Sequence, residues 1–181
     1  MNLTPERIDA LTPERRKAVM ERSMEDISSI FEDVRSIVND VRDNGDSVAL
    51  KHYQKHKSDI GPADLEATEA EIKHAYDRVD QAVVDALKVA AHNITKFHEA
   101  QKERAMWSIE ISDGILAGRV TRAMDVVGCY IPGGSAVYPS SILMTVLPAK
   151  VAGVEQIVAI TPPSKGMAAN PATLVAAAPA L

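Results

Sequence analysis

Two adjacent glycines in a sharp loop, Gly133 and Gly134, are the first feature of this sequence that suggests ligand chemistry. They follow an apolar run that ends near Tyr130, and a helical pattern begins soon after them, at Ser140. Glycines let the backbone approach a ligand closely, and a helix N-terminus favours anions. The spacing matches neither the dinucleotide fingerprint G-x-G-x-x-G nor the phosphate-binding P-loop. The residues alone therefore leave two interpretations open, a packed turn and a ligand-binding loop.

Tyr130 lies at the end of the predicted strand, beside this loop. It is either a packed strand aromatic or an amphipathic ring that lies along a ligand, with its hydroxyl as a polar contact. The preceding Cys129 fits a small buried hydrophobic residue better than a nucleophile, because no base or positive environment can be placed beside it. Tyr130 is therefore the candidate binding residue, and we assign no catalytic residue.

Histidines and carboxylates elsewhere show no metal-ligand or acid–base pattern. His52 and His56 are four residues apart, but the surrounding lysines favour a solvated basic face over a metal site. The remaining histidines fall in amphipathic helical patterns (His74, His92 and His98). A group of carboxylates lies at a helix start, where the helix dipole favours negative charge (Asp64, Glu66, Glu69 and Glu71). We therefore predict no metal site in this chain.

The loop belongs to an alternation of strands and helices over residues 125–181. Apolar runs at 126–131 and 157–160 predict two buried strands, and the apolar period over 140–152 predicts a helix between them. Strands joined by a crossover helix pair in parallel. The pattern predicts an α/β fold, in which a helical N-terminal region precedes the first part of an incomplete Rossmann-like parallel sheet.

The ends of these helices carry further signals. Gly153 is placed to end the first helix, and Pro148 inside it predicts a kink or a break. Asn170 and Pro171 predict the start of a second helix. The last twelve residues are uncharged, small and apolar, whereas chain termini are usually polar. We interpret them as a core helix that the terminus cuts off, within a truncated domain.

Helical periodicity dominates the first hundred residues. A threonine followed by proline at 4–5 and again at 12–13 predicts two short helices that form an amphipathic arm. Apolar residues recur along one helix face from Ile30 to Val41, and Gly45 is placed to end that helix.

Three more helices and a hairpin follow. Asp46 or Ser47 is predicted to cap the next helix. Two further helices are predicted near 69–79 and 81–103, and Asp80 is predicted to cap the second of them. Near Trp107 the period becomes alternating, and a Ser-Asp-Gly turn then predicts a β-hairpin.

Composition limits the class of protein. Twenty Lys and Arg against 25 Asp and Glu give a net charge of −5, with no basic stripe, which argues against nucleic acid as a partner. No apolar run is long enough for a membrane span, and the N-terminus has no signal sequence. One cysteine excludes an internal disulfide and favours the cytoplasm. We divide the chain into an arm (1–25), a first-domain segment (26–124) and the start of a second domain (125–181).

The chain resembles the histidinol dehydrogenase family. The resemblance runs in order and with matching spacing through Val127–Gly134, Tyr138–Met144, Pro148–Val154 and Thr161–Pro163. Weaker resemblance extends upstream through Val41–Asp46, Ala91–Ile94 and Phe97–Gln101, so that nearly the whole chain aligns from about residue 30 onward.

The resemblance implies an NAD-dependent, zinc-containing homodimer of histidine biosynthesis, which oxidises L-histidinol to L-histidinaldehyde and then to L-histidine. Of the family's NAD contacts, the tyrosine of its G-x-Y-x-P-G-G motif corresponds to Tyr130. The family's catalytic residues and zinc ligands correspond to positions beyond residue 181, which implies an N-terminal part that is inactive alone. The alternatives are a related alcohol dehydrogenase acting on another substrate, such as a sulfonated diol, and a non-catalytic interaction fragment with an exposed apolar tail.

Overall fold

The computed structural model describes residues 6–21, 28–55, 59–133, 137–164 and 168–180. The chain divides into two compact units, Met1–Pro62 and Ala63–Leu181. None of the helices within the described ranges is long and apolar enough to cross a membrane.

The first unit is helical. After a 3-10 turn at Ile8–Ala10, its helices are α1 (Pro13–Glu21), α2 (Ser28–Asn44) and α3 (Asp46–Gln54). The threonine cap predicted for α1 is confirmed, since the Arg15 N–H donates to Oγ1 of Thr12 at 3.2 Å. The earlier Thr-Pro pair at 4–5 lies outside the described residues.

Gly45 joins α2 to α3 and ends α2, as predicted. Its φ of 59° lies in the region that favours glycine. The predicted cap of α3 by Asp46 or Ser47 is wrong. Gly45 occupies the N-cap position, no side chain caps α3, and the Ser47 hydroxyl donates to the Asn44 carbonyl at 2.8 Å instead. The one-residue connection leaves no room for a capping side chain ahead of the helix.

The second unit begins with a 3-10 turn at Pro62–Leu65, α4 (Glu69–Arg78) and α5 (Gln81–Gln101). Asp80 caps α5 as predicted, because its carboxylate accepts from the Ala82 N–H at 2.8 Å. In addition, Thr68 and Glu71 form a reciprocal capping box at the start of α4. Glu71, one of the clustered carboxylates, thus has a specific structural role.

The predicted hairpin is confirmed as β1 (Met106–Ser112) paired antiparallel with β2 (Ile115–Val120). Gly114 supplies the turn with a φ of 72°. Every residue of both strands is exposed.

The rest of the unit is α/β, as predicted. Its elements are β3 (Val126–Tyr130), α6 (Pro139–Ala152), β4 (Gln156–Ile160) and α7 (Pro171–Ala180), and β3 pairs parallel with β4. The predicted end of α6 at Gly153 is confirmed by a φ of 90° there. Of the predicted kink or break at Pro148, the break is not found, since α6 continues through this residue. Since Val146 and Leu147 are buried beside the proline, packing holds the helix continuous.

The core of this unit surrounds α6, which packs against both parallel strands and against α5 and α7. Its buried residues come from five helices and strands and the loop after β3 (Ala75, Val84, Leu87, Cys129, Ile131, Ile142, Leu143, Val146, Leu147, Val175, Ala176 and Ala177). The interpretation of the last residues as a core helix is therefore confirmed over the described part of α7, and the exposed apolar tail of the alternative is wrong there. Val175 and Ala176 are 1% and 0% exposed, because α7 packs against α4, α5 and α6.

Candidate functional site

The candidate site lies where β3 and β4 end. The two strands run parallel with Tyr130 opposite Ile160, so their carboxyl ends meet at one edge of the sheet. The pairing continues one residue further, because the Ile131 N–H donates to the Ile160 carbonyl at 2.7 Å. In open α/β sheets, ligands bind at this edge.

The alternation of β3 exposes Tyr130. Cys129 and Ile131 face the core and are 5% and 0% exposed, whereas the Tyr130 side chain between them is 64% exposed. The tyrosine therefore lies on the opposite face of the sheet from α6, rather than packed in the core. Its ring and its hydroxyl are both accessible to a ligand.

The same face of the sheet is apolar and open. Val126, Val158 and Ile160 are 54%, 42% and 53% exposed, respectively. Val127 and Ala159, on the other face, pack against the core. Parallel sheets are usually covered on both faces, so the face that carries Tyr130 is suited to cover by a ligand or by protein.

The loops that follow the two strands lie against each other. A Cβ atom placed on Gly133 would lie 2.8 Å from Cγ and 3.3 Å from Cδ of Pro162. Real Cβ atoms essentially never approach within 3.0 Å, so this contact requires glycine. The sequence indicated the importance of the glycine pair but not its partner, and the Thr-Pro-Pro that ends β4 was the available signal. Gly134 itself lies outside the described residues.

The loop after β4 is held by its own hydrogen bonds. The Ser164 N–H donates to the Ala168 carbonyl at 2.8 Å. The Asn170 side chain accepts from the Ala172 N–H at 2.9 Å, which confirms the predicted start of α7. Across the site, α6 begins at Pro139 without a side-chain cap from Tyr138.

The other candidate residues are not brought into this site. Cys129 belongs to the core cluster, as the sequence favoured. Nδ1 of His74 lies 3.6 Å from the Asp77 carboxylate on α4, and His98 contacts the ring of Phe97 on α5. His56 falls outside the described residues. Within the parts of the chain that the structure describes, no three His, Cys, Asp or Glu residues are grouped to hold a metal ion.

A separate cavity of about 430 Å³ lies between α4 and α7. Its lining includes Ile72, Tyr76 and Ala177, together with the charged residues Glu69 and Lys73. None of its lining residues comes from the loops that follow β3 and β4, so the cavity does not extend the sheet-edge site.

Comparison with known proteins identifies a matching family. The family model described as histidinol dehydrogenase matches residues 20–180. A histidinol dehydrogenase from Methanocaldococcus jannaschii is 42% identical over 170 residues, which are 94% of this chain and 39% of that relative. A histidinol dehydrogenase from Heliobacterium mobile is 48% identical over 118 residues, 65% of this chain and 28% of that protein.

A solved structure is also similar to this chain. The crystal structure of histidinol dehydrogenase from Elizabethkingia anophelis superposes with a TM-score of 0.74 and 33% sequence identity, covering 86% of this chain and 35% of that one. The chain thus spans about two fifths of the length of the histidinol dehydrogenases from Methanocaldococcus jannaschii and Methanococcus maripaludis.

Proposed function

The chain belongs to the histidinol dehydrogenase family, and we propose that it forms the N-terminal part of an NAD-dependent enzyme that oxidises L-histidinol to L-histidine. The observation that carries this proposal is the position of Tyr130. It lies within the matched region, exposed at the carboxyl edge of a parallel sheet.

The proposed role of Tyr130 is to bind the dinucleotide. Its exposed ring offers an apolar surface against which a cofactor ring can lie, and its hydroxyl offers a hydrogen bond. The loops at Gly133 and Pro162 border the same edge and let the backbone approach closely. These residues fit one side of a cofactor cleft. When bound, NAD would supply the hydride acceptor.

We propose that zinc is held outside these 181 residues. No metal-binding group is found among the residues that the structure describes, so the residues present do not fit a zinc site. We assign no step of the reaction to a metal held by this chain. The zinc ligands and the acid–base groups belong, in this proposal, to the part of the family's length that these 181 residues do not span.

The proposal further includes L-histidinol as the substrate, a homodimer as the assembly and the cytoplasm as the location. The relatives compared above are named histidinol dehydrogenase, which favours histidinol over a sulfonated diol. The described residues contain no extended Lys/Arg stripe, so we assign no nucleic-acid partner.

Turnover by the isolated chain tests this proposal. Oxidation of an alcohol by hydride transfer requires a positioned base to take the hydroxyl proton, and we propose that this base lies outside these 181 residues. We therefore expect no NADH from the chain with L-histidinol, NAD and zinc, in an assay where the Methanocaldococcus relative serves as the positive control. NADH formation by these 181 residues alone would overturn the division of roles proposed here.

Titration calorimetry with NAD tests the cofactor half of the proposal. Because the chain offers one side of the cleft, we expect weak binding or none that calorimetry detects. Micromolar affinity would contradict this expectation.

A further inference from the structure

We infer that Gly133 is a positioning residue, whose missing side chain lets the loop after β3 lie against Pro162 and so sets the geometry of the edge that carries Tyr130. The inference rests on the proposed function, because it takes Tyr130 to be the cofactor-binding group. The contact joins the loops that follow β3 and β4, and it brings Gly133 against the ring of Pro162.

The requirement at Gly133 is for space and not for an unusual backbone. The glycines with positive φ in the described ranges are Gly45, Gly114 and Gly153, and Gly133 is not one of them. An alanine at 133 could adopt the same backbone conformation. Its Cβ, however, would lie 2.8 Å from Cγ of Pro162, so the proline ring or one of the two loops must shift.

Neither loop can easily absorb that movement near the contact. Gly133 follows Pro132, and Pro162 precedes Pro163, so the ring of a proline fixes φ at three of these positions. Two residues before Gly133, Ile131 is fully buried and its N–H is bonded to the Ile160 carbonyl. The sheet and the Gly133–Pro162 contact therefore hold the two loops together at two points.

A displacement at this contact is transmitted to the proposed ligand site. Tyr130 and its partner Ile160 are the last paired residues of the two strands, three and two positions from the contact. Moving the loops apart alters the surface on which the dinucleotide would lie. Because the dinucleotide would contact this surface in the proposed complex, we expect an effect on its affinity as well as on local structure.

The test compares four forms of the chain by NMR: wild type, Gly133→Ala, Gly133→Ala combined with Pro162→Ala, and Gly128→Ala. The second substitution removes the Cγ and Cδ atoms that a methyl group at 133 would meet. Gly128 is the matched control, since it lies on β3 and a Cβ there would have no atom within 4 Å.

Without ligand, we expect Gly133→Ala to shift the amide and side-chain resonances of Tyr130, Ile131 and Ile160, and the double variant to restore them. Gly128→Ala adds a methyl group that meets neither loop, so it should move the resonances of its neighbours on β3 and of its partner Val158 but leave those of Ile160 unchanged. Unchanged resonances at Tyr130 and Ile160 in Gly133→Ala, or shifts that Pro162→Ala fails to reverse, would overturn the inference. If Gly133→Ala does not fold, recovery of folding in the double variant gives the same support.

A titration with NAD to millimolar concentration, followed on the Tyr130 and Ile131 resonances, separates this inference from the proposed function. At the same millimolar NAD concentration, we expect the NAD-induced shift changes at Tyr130 and Ile131 to be several-fold smaller in Gly133→Ala than in the wild type and to recover in the double variant. Equal shift changes in Gly133→Ala and the wild type would overturn the positioning role. A different result would separate the two proposals: the ligand-free variants behave as expected, but NAD shifts no resonance of the wild type. The contact between Gly133 and Pro162 would then be supported, and the proposed cofactor-binding role of Tyr130 would be wrong.

Discussion

At the scale of single residues, the alternation of β3 decides which side chains are available for chemistry. Cys129 and Ile131 point into the core, and Tyr130 between them points away from it. The sequence could identify Tyr130 as a candidate but could not decide between a packed and an exposed ring. That choice depends on which face α6 covers, and a single strand does not encode it.

Tyr130 is the residue whose substitution most directly tests the site. In a complete family protein that carries this segment, we expect Tyr130→Ala to raise the KM for NAD, because it removes both the ring surface and the hydroxyl. Tyr130→Phe keeps the ring and should retain most of the affinity. Steady-state kinetics at varied NAD measure the effect.

The matched control for this experiment is Tyr76→Ala, since Tyr76 is also partly exposed but lies on α4. Its KM for NAD should match the wild-type value. An unchanged KM in Tyr130→Ala would remove Tyr130 from the cofactor site.

At the scale of elements, most helices and strands follow from local patterns. The recurrence of apolar residues every 3.6 positions predicted α2 and α5, because each of these helices has one apolar face. The change to alternating apolar residues near Trp107, followed by a turn signal, predicted the hairpin. The cap of α3 was predicted wrongly, and α6 covers its predicted span without the break considered at Pro148. Both depend on connection length or on packing by distant residues, which a local pattern does not contain.

The cap of α5 provides a quantitative test of this local encoding. Asp80→Ala removes the carboxylate that accepts from the Ala82 N–H, and we expect a loss of about 1 kcal/mol in unfolding free energy. Asp80→Asn preserves an acceptor at the same position and should lose much less. Urea unfolding followed by circular dichroism measures both variants. Equal losses for alanine and asparagine would indicate that the cap hydrogen bond contributes nothing.

Gly118 tests the hairpin in the same way. A Cβ there would lie 2.9 Å from Cα of Ser108 on the facing strand and would also contact the Trp107 carbonyl oxygen. We expect the added methyl group in Gly118→Ala to push the two strands apart, at an overpacking cost of about 1–3 kcal/mol. Because the pairing is weakened by that amount, amide-exchange protection in β1 and β2 should fall by about tenfold or more. Leu116→Ala, at a strand position that is 72% exposed, is the control and should leave protection unchanged. Full protection in Gly118→Ala would show that the strands can separate without losing their pairing.

At the scale of the whole molecule, apolar side chains are exposed as continuous faces in both units. In the second unit this face is the side of the parallel sheet that carries Val126, Val158 and Ile160. In the first unit it is the apolar face of α2, whose side chains are between 45% and 60% exposed (Ile30, Phe31, Val34, Ile37, Val38 and Val41). Scattered exposed apolar residues are ordinary, but contiguous ones mark surfaces suited to contact with other protein or ligand.

The apolar face of α2 gives a prediction that is independent of catalysis. We expect the chain to bind an apolar fluorescent dye, since each half-exposed aliphatic side chain retains apolar area in water. The double substitution Val34→Lys and Ile37→Lys places two charges on that face and should lower the dye signal. Ser36→Lys and Asn39→Lys add the same charge at the same spacing on the opposite, polar face of the helix, and should leave the signal unchanged.

The comparison of the two double variants isolates the position of the charges from their number. Both change the net charge from −5 to −3, because two neutral residues become lysines in each case. Lysine also has a good helix propensity, so helicity by circular dichroism should be similar in both variants. An equal fall in dye fluorescence would mean that net charge governs binding and that the α2 face is not a binding surface. A selective fall in Val34→Lys/Ile37→Lys would locate the exposed apolar surface of the first unit on α2.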